Sequence, residues 1–248
     1  MKDIHHPWTS GPKEILAHGF ELIRRDTDAG RRIAMILIDN AVELMMKIYL
    51  GLPSRVNGLN IPLPKYQELS ESFPKLLEAL ETYAPQKLAG LDLGDIEWYH
   101  RLRNQLYHQG NGLTVERDKL TVYSQIAKSL FANLFDFAPD LDDPSSTEPL
   151  GQFLAAWARI ESSLLTIASK RGITVASAGR PSQLGPASLV KALDTCGAIP
   201  SDVASDLLIL RDIRSQLVHS PEGQQTALAP SNVKRARQIA RQLDGLIR

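Results

Sequence analysis

One cysteine, Cys196, in 248 residues excludes an intrachain disulfide and any cysteine-based metal cluster. That scarcity suits a reducing compartment. Long apolar runs are missing too: the most apolar stretch, Ile33 to Leu50, is interrupted by Asp39, Asn40, Glu43 and Lys47 and is too broken to span a bilayer. Met1 to Ser10 lacks the apolar core of a secretory signal. Neither sign of charge is in excess. Lys plus Arg and Asp plus Glu number 28 each, so the overall balance singles out neither a nucleic acid nor a membrane as partner. Histidines with metal-ligand spacing are lacking as well, because His5, His6 and His18 stand apart from any carboxylate cluster. Strand-like alternation of apolar and polar residues is nowhere apparent. These absences predict a cytoplasmic, all-α protein with no membrane partner, no metal and no cofactor.

What is present is helical periodicity, arranged twice. Residues 12–29 predict a first helix through Ile15, Leu16, Phe20 and Ile23. Residues 31–50 predict the central one, apolar on so many sides that its neighbours must surround it. Asp39, Glu43 and Lys47 form an i, i+4, i+8 row along it, read either as a solvated ion-pair strip or as a row that positions a site. Gly51, Pro53, Gly58, Pro62 and Pro64 predict a long loop over 51–71. Helices follow at 72–83, 94–109 and 116–137, with Gly110 and Gly112 as stops that put His108 in a last turn. The Asp, Ser and Pro content of Asp140 to Pro149 marks a linker. Beyond it the order repeats: a helix at 149–170, a Gly- and Ser-rich loop at 171–187, a short helix at 188–195, another leading into His219 with Pro221 after it, and a last one at 232–247. Leu76, Leu77 and Leu80 align with Leu189, Val190 and Leu193, and Leu120, Ile126 and Leu130 with Val233, Ile239 and Leu243, at a shift of 113. Glu43 and Glu161 take comparable places on the two central helices. The chain is therefore read as a duplicated unit, with domains at 1–141 and 147–248. The halves differ in charge: residues 147–248 carry 12 basic and 8 acidic side chains, leaving 16 and 20 for the rest.

One string survives the duplication as chemistry. Arg103, Asn104, Gln105, Leu106, Tyr107 and His108 return 111 residues later as Arg214, Ser215, Gln216, Leu217, Val218 and His219. A lone Arg-x4-His is ordinarily an exposed arginine with a helix-capping histidine. Two copies in matching contexts argue for more. On an ideal helix the arginine and histidine lie about 140° apart, yet a long arginine can bend towards the helix end. Arginine offers a planar, permanently charged fork for phosphate oxygens and for the charge that builds on a five-coordinate phosphorus. Histidine in a last turn can take a proton from a 2′-hydroxyl or give one to a leaving 5′-oxygen. Tyr107 and His100 read as packing or surface residues.

These residues resemble the signature of the HEPN superfamily, helical domains found in many RNA-cleaving proteins. Its pattern is Arg-x4–6-His, often with Asn, Asp or His directly after the arginine. Arg103-Asn104-x3-His108 fits closely, whereas Ser215 departs from the pattern in the second copy. The resemblance implies two HEPN-like helical bundles packed as an intramolecular pseudo-dimer, with Arg103, His108, Arg214 and His219 converging on one cleft. Asn104, Ser215, Glu43 and Glu161 would support them. It further implies metal-independent endoribonuclease activity on RNA, as a toxin or antiviral defence effector, with an antitoxin or other regulatory protein as partner and homo-oligomers as in many members. The alternative it carries is a non-catalytic module that binds RNA or regulates a partner protein.

Overall fold

The computed structural model describes residues 7–109, 114–141, 149–173, 186–219 and 228–247; among them are eleven α-helices and no strand. The chain falls into two compact units, Met1–Pro144 and Ser145–Arg248, divided inside the stretch read from sequence as a linker. No helix among the described residues is long and apolar enough to cross a membrane.

The first unit holds α1 (Ser10–Arg25), α2 (Asp28–Gly51), α3 (Ser54–Asn57), α4 (Leu63–Leu69), α5 (Phe73–Tyr83), α6 (Leu93–Gln109) and α7 (Arg117–Phe135). Helix α2 is its axis, packed on by α1, α5, α6 and α7. Ala34, Met35, Ile38, Ala41, Val42, Met45 and Met46 are all buried, as expected for a helix apolar on most sides. Close approach of α1 depends on Gly19, where a Cβ would come within 3.1 Å of Ile38 Cγ1.

The first helix ends four residues earlier than its apolar pattern suggested. Asp26 adopts the left-handed conformation (φ 48°), and Thr27 starts α2 as its cap, its hydroxyl accepting from the Gly30 amide at 3.0 Å. The Asp26 carboxylate accepts from Arg31 (2.7 Å) and from Arg117 at the start of α7 (2.9 Å). Those donors, Arg31 first, hold its carboxyl below the usual aspartate value.

The predicted loop at 51–71 also needs correction, since it contains α3 and α4. Neither has enough apolar periodicity to be read from sequence, because both are short and are held by the end of α2. Asn57 Nδ2 donates to the Tyr49 carbonyl at 2.7 Å, and the Tyr66 hydroxyl donates to the Lys47 carbonyl at 3.2 Å. They thereby satisfy carbonyls in the closing turns of α2.

The second unit holds α8 (Pro149–Lys170), α9 (Pro186–Thr195), α10 (Ser201–His219) and α11 (Pro230–Ile247). Helix α8 packs against α11 and α9, and α10 against α9 and α11. Most of the predicted loop at 171–187 lies outside the described residues, as do Gly110, Gly112 and Pro221.

Because only Asp26 and Thr27 separate α1 from α2, replacing Thr27 tests the corner. Thr27→Ala is expected to cost about 1 kcal/mol of unfolding free energy, and Thr27→Ser to cost little. Urea denaturation of both variants checks this; equal loss in the two would contradict the capping role.

Candidate functional site

Burial relates the two central helices at more than one spacing. Ala34, Met35, Ile38, Asp39, Ala41, Val42, Met45 and Met46 of α2 are buried, and so are Ala156, Trp157, Ile160, Glu161, Ser163, Leu164, Ile167 and Ala168 of α8, each 122 residues on. The shift of 118 that would pair Glu43 with Glu161 sets buried Ala41 opposite exposed Arg159. The shift of 122 likewise sets buried Tyr49 opposite exposed Arg171, so burial fits Glu161 to Asp39 and to Glu43 alike.

Asp39 is the centre of the first unit's polar cluster. Its side chain is fully buried, and three groups from two other helices converge on it. The Tyr123 hydroxyl of α7 donates to Oδ1 at 2.7 Å, and His100 Nδ1 of α6 lies 3.0 Å from Oδ2. Arg103 Nε of α6 is 3.3 Å from the same Oδ2, an ion pair whose N–H is not aimed squarely at the oxygen. Such convergence is what a carboxylate needs away from water, where an unpaired charge costs several kcal/mol or more (~3–5). Aromatic stacking fixes the donors in turn. Tyr99 lies parallel to Tyr123 at 4.4 Å, and Phe73 parallel to His100 at 3.8 Å.

Arg103 is held at its tip as well. Nη2 donates to Asn40 Oδ1 at 2.7 Å and Nη1 to Asn104 Oδ1 at 2.9 Å, while the guanidinium carbon lies 5.7 Å from the centre of the Tyr107 ring. A guanidinium has five N–H groups, so one on each terminal nitrogen is left for a ligand. The side chain is 20% exposed. His108 is exposed in the last turn of α6, its ring meeting the edge of Tyr107 with centroids 5.5 Å apart. Tyr107 thus bridges the two ends of the motif, and the guanidinium carbon and imidazole ring are within about 11 Å of one another.

The structure therefore joins Arg103, Asn104 and Tyr107, with His108 alongside. Glu43 is elsewhere: its carboxylate accepts from Lys47 at 2.6 Å. The row of Asp39, Glu43 and Lys47 splits, with Glu43 and Lys47 an ion pair at the edge and Asp39 inside. His100, read as a packing or surface residue, is one of the carboxylate's partners. Asn40 was not singled out at all, although the Asp39–Asn40 break in the most apolar run was its signal.

In the second unit Arg214 is half-buried and Ser215 exposed, while the side chain of His219 lies outside the described residues. The residue types differ there. Constant shifts put Ala236 where Tyr123 stands and Arg211, which bonds Asp212 at 3.0 Å, where His100 stands. Glu161 is a buried carboxylate, one methylene longer than aspartate.

Burial, followed by the neighbouring Asp39 charge and its hydrogen bond, raises the Tyr123 hydroxyl well above the ordinary tyrosine value of 10.0. Among the described residues no group of three or more His, Cys, Asp or Glu is placed to hold a metal ion. The chain matches no family model, no curated protein and no solved structure.

Tyr123→Phe removes one donor from a buried carboxylate and is expected to cost about 1–3 kcal/mol. The same tyrosine makes stability pH-dependent. Its neutral form is favoured in the fold, so its contribution is complete below pH 10.0 and is lost as pH rises towards the higher folded value. Denaturant unfolding followed through that range should show a steeper alkaline loss in the native chain than in Tyr123→Phe. Parallel curves would show that the hydroxyl is not held as described.

Proposed function

We propose that the chain is an endoribonuclease of the HEPN type, acting as a growth-arresting or antiviral effector, in which Arg103, His108, Arg214 and His219 all serve RNA cleavage. The observation that carries this reading is the fixing of Arg103. A buried carboxylate, two amide oxygens and an aromatic face hold its guanidinium in place with two N–H groups to spare, and His108 is exposed one turn further on. Preorganised donors of this kind favour charge that develops in a transition state, because they need no reorganisation when it appears.

In the proposed reaction a histidine takes the proton from the 2′-hydroxyl, and the 2′-oxygen attacks the adjacent phosphorus. The bond from phosphorus to the 5′-oxygen breaks, and a second proton donor protonates the leaving oxygen. The products are a 2′,3′-cyclic phosphate and a free 5′-hydroxyl. The arginines neutralise the extra charge on the non-bridging oxygens. His108 and His219 supply base and acid, Asn104 orients Arg103, and Asp39 does for Arg103 what was expected of Glu43. Glu161 is assigned the same task for Arg214, with Ser215 beside it.

A non-catalytic module that binds RNA or regulates a partner protein is the second reading. It is favoured by the number of Arg103 donors already satisfied within the chain, as in a purely structural arginine.

Purified protein should cut RNA to fragments with 2′,3′-cyclic phosphate ends. His108→Ala and His219→Ala, each alone, should lower the rate on the order of 100-fold or more. Expression of the native chain should arrest growth and degrade cellular RNA, and expression of the double variant should do neither. Equal RNA integrity with native and doubly substituted chains would leave only the non-catalytic module.

A further inference from the structure

Tyr107 is a large aromatic side chain left 65% exposed at the end of α6. It stands between the two motif residues, with the Arg103 guanidinium 5.7 Å from its centre and the His108 ring 5.5 Å away at 85°. Position 218, its counterpart in the second unit, is a fully buried valine. The duplicated string thus turns an apolar side chain inward in one copy and an aromatic one outward in the other. Packing does not account for Tyr107, since most of its surface meets no other part of the chain.

We propose that Tyr107 is a stacking platform for one unpaired nucleobase of single-stranded RNA, next to the phosphate bound by Arg103. The inference rests on the ribonuclease reading and adds the class of substrate to it. Every base has a π-face, so an exposed ring accepts any of them, and an adjoining cation adds to the attraction while meeting the phosphate. A base paired within a duplex is already stacked on both faces and cannot take this place without being extruded. Single strands, loops and bulges are therefore the substrates this arrangement selects. Only the first unit offers such a platform, so the base is held on the Asn104 side of the duplication, and the unit with Val218 contributes no counterpart.

The test uses the full chain and 2′-O-methyl oligonucleotides, which lack the attacking hydroxyl and cannot be cut. Fluorescence anisotropy is measured with a single strand, the same strand carrying one abasic position at each site in turn, and its duplex. A single strand with 2-aminopurine reports stacking through quenching. Tyr107→Ala should bind the single strand on the order of 5- to 100-fold more weakly and lose the quenching. Tyr107→Phe should keep both. At one abasic position the native chain should bind no better than Tyr107→Ala, and duplex binding should not depend on the substitution.

Equal affinity of native and Tyr107→Ala chains for the single strand would overturn the proposal. So would affinity for every abasic probe equal to that for the intact strand, or no binding of any single strand. Should Tyr107→Ala disturb Arg103, the abasic series on the native chain still decides. Failure of the ribonuclease reading looks different: base-dependent binding and quenching would persist while RNA with free 2′-hydroxyls stays whole. Cleavage that is indifferent to Tyr107 would sink the platform alone.

Discussion

A carboxylate inside an apolar bundle must be surrounded by donors, and in the first unit that requirement selects the neighbours of Asp39. Tyr123, His100 and Arg103 come from α6 and α7, so one side chain of α2 ties three helices together. The penalty for leaving such a group unpaired makes the arrangement nearly all-or-none. Arg103 is consequently fixed by the same interaction that stabilises the fold. A functional side chain that shares a partner with the core loses little freedom on binding a ligand, which is what preorganisation means in structural terms.

The two units carry the related strings Arg103 to His108 and Arg214 to His219. Eight buried positions of α2 fall on buried positions of α8 at a shift of 122, with Glu161 opposite Asp39, and eight do so at 118, with Glu161 opposite Glu43. At the places of Tyr123 and His100 the two units diverge: the second has alanine and an arginine turned to Asp212. The string after the arginine diverges as well, with Asn104 and exposed Tyr107 in one copy, Ser215 and buried Val218 in the other. Both copies keep arginine, histidine and a buried acid.

How much of this could be read from the sequence depends on the range of the forces involved. The long helices follow from apolar periodicity, and α8 begins and ends where that pattern does. Short α3 and α4 escape it because bonds to the carbonyls of α2, and not their own residues, hold them. The Arg-x4-His strings were visible as a local repeat. The carboxylate beside Arg103 lies one turn from Glu43, since Asp39 and Glu43 share a helical face and only burial tells them apart. Asn40 and Tyr123 could not be assigned to Arg103 and Asp39 without knowing how α2, α6 and α7 meet. The Asp39–Asn40 break in an otherwise apolar stretch was the one local sign that polar partners had to be waiting.

The claim at the centre of this account is that Asp39 and Arg103 act as a unit. A double-mutant cycle on unfolding free energy, with Asp39→Ala, Arg103→Ala and the two together, measures it directly. The account predicts a coupling above about 1 kcal/mol, the second substitution costing far less once the first is made. Additive losses, agreeing within about 0.3 kcal/mol, would mean that the buried carboxylate does not hold the arginine.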